Sequence, residues 1–336
     1  MRHAAILIAL LTIVSARTAR ADGECGDVPP SDEALEAIEH AADAEDAKTD
    51  EDEAPVLYRV PVYLHVVRRA PQGEGDMPVA HAREITIDLL NEEFAAQDIP
   101  FQFDLAKIDY INADDATYRL VQSSNEERAL WDLAQVAGRR NLNIYIVGPR
   151  DDTRVTGWAE FLVNPALQRG DHVVLRYLPS KGAFSDPLVP VHEVGHWMGL
   201  LHTFHFGCGG LMHGDLIRDT PTQATGHSSC DAAYDSCPDD AGTDPIDNIM
   251  GYSHACRGTF SPGQIRRMKF LWRTVRGGKS DDVPVDDMAP TETTGCTATH
   301  GSSLGLVLLV LGLVLGRRRQ VRASHVEPVA QTAAGA

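Results

Sequence analysis

The pattern of apolar and polar positions predicts a mixed α/β domain in the first two thirds of the chain. Four segments have the composition or the alternation of strands: residues 58–68, 101–111, 142–147 and 172–177. Three segments carry apolar residues at helical spacing: residues 81–96, 126–137 and 188–201. Strands and helices mixed in this order fit an α/β sandwich of moderate size.

The regular spacing of apolar residues that predicts helices and strands weakens after residue 202. Gly, Asp, Pro and Cys dominate residues 207–247, and a closing helix is predicted over residues 264–275. Four of the six cysteines fall in this part of the chain: Cys208, Cys230, Cys237 and Cys256. Four cysteines allow three disulfide connectivities, and their spacing does not choose among them. We expect crosslinks and metal ions to hold this region more than an apolar core does.

The N-terminus has the features of an export signal. Arg2 precedes an apolar run over residues 4–14, and Ala19-Arg20-Ala21 resembles a cleavage site between small residues. The alternative is a short buried helix. The pattern predicts a signal peptide over residues 1–21 and an exported protein, whose cysteines pair in an oxidising compartment.

The next segment is strongly acidic. Between Asp22 and Ala54 the chain has 14 Asp and Glu residues against the single Lys48, whereas the rest of the chain has a net balance of only −5. Its few large apolar residues predict an acidic pro-segment over residues 22–55 that lies outside the main core. The catalytic domain would then span residues 56–276. A basic stripe is missing from the sequence, so we expect no nucleic-acid partner.

The C-terminal part divides into three segments. A polar linker is predicted over residues 277–303, an apolar segment with an Arg cluster over 304–319, and a tail over 320–336. The apolar run is shorter than the roughly 20 residues that span a bilayer comfortably. Its basic flank favours membrane or cell-surface attachment with the main domain outside. A buried C-terminal helix is the alternative.

The most informative motif is His-Glu-x-x-His at the end of the third predicted helix. His192 and His196 lie four residues apart and share a helix face, so both imidazoles can bind one zinc ion. Gly199 ends the helix in a left-handed conformation, and the turn returns His202 as third ligand. Glu193 would act as general base on the zinc-bound water that attacks the peptide bond.

Two alternatives compete with this interpretation. The histidines could belong to a His-rich surface helix, but the fixed positions of Gly199 and His202 make the extended motif selective. The domain could also be an inactive, zinc-stabilised adhesion or binding module. Glu193 disfavours that alternative, because a structural zinc site needs no general base. The sequence therefore predicts a secreted or surface-attached zinc endopeptidase that acts on extracellular protein or peptide substrates.

With this extended histidine motif, the chain resembles the metzincin metallopeptidases. That family has a methionine-containing turn beneath the metal, and Asp247-Asn248-Ile249-Met250-Gly251-Tyr252 looks like it. The resemblance implies that Met250 forms an apolar floor and that Tyr252 stabilises the oxyanion. Core packing is the alternative role for Met250. The implied fold is a metzincin-like α/β zinc peptidase domain, with a twisted mixed sheet, an active-site helix and an irregular, disulfide-braced C-terminal subdomain.

A closer resemblance is to the pappalysin family. It rests on four short segments: His202-Thr203-Phe204, residues 214–221 (GDLIRDTP), residues 235–238 (DSCP) and residues 260–268 (FSPGQIRRM). The resemblance implies the disulfides Cys208–Cys237 and Cys230–Cys256. It also implies a calcium ion, for which Asp215, Asp219 and Thr220 are the matching candidates. A solvated acidic turn is the alternative for these three residues.

The metzincin resemblance also implies an edge strand that pairs with an extended substrate. Gly157, Trp158 and Ala159 fall where that strand is expected.

Two remaining cysteines, Cys25 and Cys296, stand far from the cluster. A pro-segment thiolate can occupy the fourth zinc position of a latent peptidase, and we predict this role for Cys25. An intermolecular disulfide or an idle thiol is the alternative. The tail, with Gly295-Cys296, a short apolar run and an Arg cluster, resembles a myxobacterial C-terminal sorting signal, although residues 320–336 extend beyond the arginines.

Overall fold

The structure is a computed structural model that describes residues 37–42, 57–69, 73, 75–150, 155–159, 171–209 and 214–276. The predicted signal peptide, Cys25, the linker and the C-terminal segments lie outside the described residues. Within the described ranges, none of the helices is long and apolar enough to cross a membrane.

A five-stranded mixed sheet forms the centre of the domain. Its strands are β1 (Tyr58–Arg69), β2 (Phe101–Ala113), β3 (Leu142–Val147), β4 (Gly157–Ala159) and β5 (His172–Arg176). They lie in the order β2-β1-β3-β5-β4. The first four strands in this order pair parallel with one another, and β4 pairs antiparallel with β5 at the edge. All residues of β3 and β5 are buried, because the sheet is covered on both faces.

The helices are α1 (residues 37–42), α2 (Val79–Arg83), α3 (Leu89–Ala96), α4 (Asp115–Tyr118), α5 (Asn125–Ala134), α6 (Val189–Trp197) and α7 (Pro262–Leu271). A π-helical turn, Glu84–Asp88, joins α2 to α3, and a second, Trp272–Arg276, follows α7. Ser261 and Gln264 form a reciprocal capping box that fixes the start of α7. The strands and the longer helices thus confirm the pattern predicted from the sequence.

The two faces of the sheet carry different cores. On one face α6 packs against β4 and β5, and its Val191, Val194 and Trp197 belong to the same core cluster as alternate residues of β3 and β5. On the other face a smaller cluster includes Leu130 of α5 and Trp158 of β4. Because apolar residues surround α6, its two histidines are held in fixed positions beside the edge strand.

The region between α6 and α7 is irregular and crosslinked. The structure pairs Cys208 with Cys237 and Cys230 with Cys256, with Cα–Cα distances of 5.4 and 5.8 Å. This is the pairing implied by the family resemblance. The predicted mixed α/β sheet with a disulfide-braced C-terminal subdomain is therefore confirmed.

Part of the predicted pro-segment packs on the domain, which the sequence did not lead us to expect. Ile38 and Ala42 of α1 are buried against Phe270 and Leu271 of α7 and form a small separate cluster. Glu39 accepts hydrogen bonds from Arg267 at 3.1 and 3.2 Å. Residues 37–42 thus pack on α7, and the buried carboxylate of Glu39 pairs there with the fully buried guanidinium of Arg267.

Candidate metal centre

The turn after α6 is set by Gly199. Its φ of +96° suits glycine and disfavours residues with a side chain. The Gly199 amide donates to His196 O at 2.8 Å and the Leu200 amide donates to Gly195 O at 3.0 Å, which is a Schellman motif. The helix therefore ends at Trp197 instead of continuing to residue 201, and the chain reverses to bring His202 back.

The three predicted histidine ligands converge. The Nε2 atoms of His192, His196 and His202 lie 3.1 to 3.2 Å from one another. Zinc–nitrogen bonds of about 2.1 Å at tetrahedral angles would separate such atoms by roughly 3.4 Å. The donor set and its spacing therefore fit one zinc ion with a fourth position left open.

Hydrogen bonds orient the imidazoles. His192 Nδ1 lies 2.7 Å from Ile249 O, and His196 Nδ1 lies 2.8 Å from Leu200 O. A carbonyl can only accept, so each Nδ1 carries the hydrogen and each Nε2 presents its lone pair to the metal position. Burial lowers the pKa of His196 to about 4 and holds the pKa of His192 and His202 well below its usual range. The neutral ligand form is thus favoured.

Glu193 lies between the histidines and the edge strand. Its side chain is buried, and this burial raises the pKa of the carboxyl to about 8, while the Arg257 cation acts to lower it. A Cβ atom placed on Gly157 of β4 would lie 3.0 Å from Glu193 Oε1. Glycine at position 157 therefore gives the carboxylate room against the strand.

Met250 lies directly beneath α6. It is fully buried, and a Cβ atom on Gly195 would lie 2.6 Å from its sulfur. The Met250 amide donates to Asn248 Oδ1 at 2.9 Å, and Asn248 in turn donates to Gln264 Oε1 at 2.9 Å. The turn is thus fixed from below by α7, and its methionine packs on the helix that carries two of the histidines.

Tyr252 lies at the open side of the centre. Its ring is 4.9 Å from that of His202 and 6.1 Å from that of His192, measured between centroids. The residue is 40% exposed, so its hydroxyl is accessible to a bound ligand. Partial burial raises the pKa of the phenol, and the charge of Glu193 adds to the effect. Tyr252 is therefore a neutral hydrogen-bond donor at physiological pH.

The predicted substrate strand is β4. Ala159 faces the α6 side, while Trp158 points to the opposite face and its Nε1 donates to Glu127 Oε1 at 2.5 Å. Glu127 is fully buried, and its other oxygen accepts from the amide of Ser123. This anchor fixes the strand from the face remote from the histidines.

The candidate calcium residues lie at the start of α7. Asp215 accepts from the Ile217 amide at 3.0 Å and from Gln264 Nε2 at 3.1 Å. Asp219 accepts from Ser261 Oγ at 2.8 Å and from the Gly263 amide at 2.7 Å. In the structure these carboxylates therefore tie the irregular region to α7, and a calcium ion would have to share their oxygens with these donors.

Two residues near the centre went unrecognised in the sequence. Arg257 and Asp186 form a buried ion pair, with Nη2 and Oδ2 2.7 Å apart. They are 71 residues apart, and neither belongs to a recognisable motif. Only the adjacency of Arg257 to Cys256 and of Asp186 to the predicted helix start could have drawn attention to them.

A buried carboxylate beside three converging histidines, on a helix packed above a methionine turn, is the arrangement typical of metallopeptidases. Comparison with known proteins identifies the family. Residues 142–272 match the peptidase M43 family, described as pregnancy-associated plasma protein-A. An extracellular metalloprotease of Coccidioides posadasii is 33% identical over 268 residues, covering 76% of this chain and 91% of the relative. An extracellular metalloprotease of Pyricularia oryzae is 32% identical over 277 residues, covering 79% of this chain and 94% of the relative. The chain belongs to this family of metalloproteases.

Solved structures show the same fold. Mature mirolysin of Tannerella forsythia, in complex with a cleaved peptide, superposes with a TM-score of 0.54 at 24% identity, covering 67% of this chain and 94% of that one. A promirolysin mutant from the same organism gives a TM-score of 0.56 at 22% identity, covering 73% of this chain and 89% of that one.

Proposed function

We propose that the protein is an exported zinc endopeptidase that hydrolyses peptide bonds in extracellular proteins. The observation that carries this proposal is the buried carboxylate of Glu193 on the helix that supplies two of three converging imidazoles. Hydrolysis needs such a base, whereas a structural zinc site does not. Relatives named extracellular metalloproteases support both the peptidase activity and the export.

His192, His196 and His202 would hold the zinc ion through their Nε2 atoms. When bound, zinc lowers the pKa of a water molecule toward neutrality and polarises the carbonyl of the substrate. The charge of a bound zinc ion would lower the pKa of the Glu193 carboxyl again and keep it ionised. The carboxylate then accepts the proton of the attacking water and delivers it to the nitrogen of the leaving amine. Tyr252 donates its hydroxyl hydrogen to the oxygen on which negative charge develops.

Met250 and β4 complete the arrangement. Met250 supports α6 from below, so that the imidazoles keep their positions during turnover. Among the described residues β4 pairs with one neighbour only, and its outer edge can pair with an extended peptide. A peptide paired with β4 would pass beside Glu193, because Gly157 of this strand contacts the Glu193 side chain, and we therefore expect cleavage within a chain.

Replacement of Glu193 by Gln tests the mechanism. The Glu193→Gln variant should keep its zinc and lose casein cleavage by a factor on the order of 10² to 10⁴, because general acid–base catalysis contributes about that much. Glu92→Gln is the matched control, since Glu92 lies on the exposed side of α3. A chelator should abolish the wild-type cleavage, and added zinc should restore it.

The results of this experiment distinguish a zinc peptidase from an inactive adhesion or binding module. Equal cleavage by Glu193→Gln and wild type would refute the role of Glu193. Zinc binding without any chelator-sensitive cleavage by the wild type would instead favour the inactive adhesion or binding module.

Latency through Cys25 is a further part of the proposal. Cys25 lies outside the described residues, and its role rests on the chemistry of thiolates at zinc. A thiol reagent should activate the full-length precursor, and a Cys25→Ala precursor should be active without it. A precursor that gains no activity from the reagent would refute this role.

The calcium site and surface attachment are proposed on the family resemblance and on the C-terminal sequence. Calcium should raise the melting temperature of the wild type but not that of an Asp219→Asn variant; an equal shift in both would exclude Asp219 as ligand. Detergent-dependent release of the full chain, compared with a chain ending at residue 303, tests membrane attachment.

A further inference from the structure

Arg257 lies beneath the metal centre and contacts both sides of the methionine turn. Its side chain is 1% exposed. Nη1 donates to Ile249 O at 3.2 Å and to Gly251 O at 2.9 Å, the carbonyls on either side of Met250. The Ile249 carbonyl is also the acceptor for His192 Nδ1. The same guanidinium nitrogen therefore fixes the acceptor that orients a metal ligand.

Asp186 connects this guanidinium to the start of α6. One of its carboxylate oxygens, Oδ2, accepts from Arg257 Nη2 and from His254 Nδ1, each at 2.7 Å. The other, Oδ1, accepts from the Leu188 amide at 2.9 Å, directly before the helix. Its backbone carbonyl accepts from the Val189 amide at 3.2 Å. Asp186 thus binds the first residues of the helix and the guanidinium at the same time.

We propose that Asp186 and Arg257 form a positioning pair that locks the methionine turn to the active-site helix and thereby sets the zinc affinity of His192. This inference rests on the proposed zinc peptidase function. The active-site helix and the methionine turn are joined along the chain only through the long irregular region, so the ion pair is a direct crosslink between them. Removal of an outer hydrogen-bond partner of a metal ligand typically weakens metal binding about 10- to 100-fold.

Lysine cannot replace the arginine here. The guanidinium uses Nη1 for two carbonyls and Nη2 for the carboxylate, in a planar fork. A single ammonium nitrogen cannot reach all three acceptors in that geometry. Arg257→Lys therefore keeps the charge but removes the crosslink, and Asp186→Asn keeps the acceptor for the Leu188 amide but removes the charge.

The experiment measures the zinc dissociation constant of the full chain by competition with a chromophoric chelator. Wild type, Arg257→Lys, Asp186→Asn and the double variant are compared. The matched control is Arg267→Lys, because Arg267 is equally buried, pairs with a carboxylate and donates to the carbonyls of Asp215 and Leu216. The zinc concentration that gives half-maximal peptidase activity is measured in parallel.

We expect each single variant at Asp186 or Arg257 to raise the zinc dissociation constant about 10- to 100-fold. The double variant should bind zinc no more weakly than the single variant with the larger dissociation constant, since both substitutions remove the same crosslink. Arg267→Lys should lose stability without this change in zinc affinity. Half-maximal activity should require correspondingly more zinc, which a merely structural role would not produce.

Folded variants that bind zinc as tightly as the wild type would overturn the pair's role and leave the proposed function intact. Should Arg257→Lys fail to fold, Asp186→Asn decides the question. A folded wild type that binds no zinc would refute the proposed function together with this inference.

Discussion

Gly199→Ala tests whether the turn that delivers His202 depends on glycine in two separate ways. The first is conformational: a left-handed backbone costs a residue with a Cβ atom about 1–2 kcal/mol, and Gly199 has a φ of +96°. The second is steric: the new Cβ would lie 2.2 Å from Leu271 Cδ1, in the interior. Overpacking of this kind costs about 1–3 kcal/mol. We expect a total loss of about 2–5 kcal/mol in the free energy of unfolding.

Gly182→Ala is the control that separates these costs. Gly182 has a φ of +62°, but the nearest atom to an added Cβ, the Tyr177 hydroxyl oxygen, lies 3.9 Å away. It should therefore lose only the conformational part, about 1–2 kcal/mol. Combining Gly199→Ala with Leu271→Ala should cost about 1–3 kcal/mol less than the sum of the two single changes, because the overlap is gone.

The assay is equilibrium unfolding in urea. All variants carry Glu193→Gln to prevent self-cleavage, and a chelator removes the contribution of bound zinc to stability. Equal losses in Gly199→Ala and Gly182→Ala, within about 0.5 kcal/mol, together with an independent contribution from Leu271→Ala, would show that no steric overlap adds to the cost at position 199.

Two further predictions concern the disulfides and the edge strand. Replacing either disulfide by a pair of serines should lower the free energy of unfolding by about 3–4 kcal/mol, because each closes a long loop in the unfolded chain, with sequence separations of 29 and 26 residues. Urea unfolding measures this loss. A loss below about 1 kcal/mol would contradict the bracing role. Trp158→Phe should cost about 1–3 kcal/mol, because it removes the indole donor to Oε1 of the buried Glu127. It should also raise the KM for a peptide substrate if β4 aligns that substrate. Unchanged stability and KM would show that the anchor does not position the strand.

The sequence predicted the elements whose information is local. The spacing of His192, His196 and Gly199 specifies a helix, a shared face and a stop within eight residues, so the convergence of the ligands could be foreseen. The apolar spacing of residues 188–201 runs past that stop, because apolar residues continue after Gly199, whereas the Schellman motif ends the helix itself at Trp197.

The contacts that could not be predicted join distant parts of the chain. Asp186 and Arg257 meet only because the methionine turn folds under α6, and no periodicity records that meeting. The docking of α1 on α7 was likewise missed, because two buried apolar residues and one acid in an acidic segment do not signal a packed helix. Composition describes the average of a segment, while packing depends on the few residues that meet a partner.

The ion pair between Glu39 and Arg267 bears on where the folded unit begins. Arg267 is fully buried and also donates to the carbonyls of Asp215 and Leu216. A fragment starting at residue 56 would leave this guanidinium without its carboxylate, and removing one partner of a buried pair costs about 3–5 kcal/mol. The smallest robust recombinant fragment should therefore start before residue 37. A protease that nicks the chain between α1 and β1 would leave a two-chain molecule, with the short N-terminal piece still seated on α7.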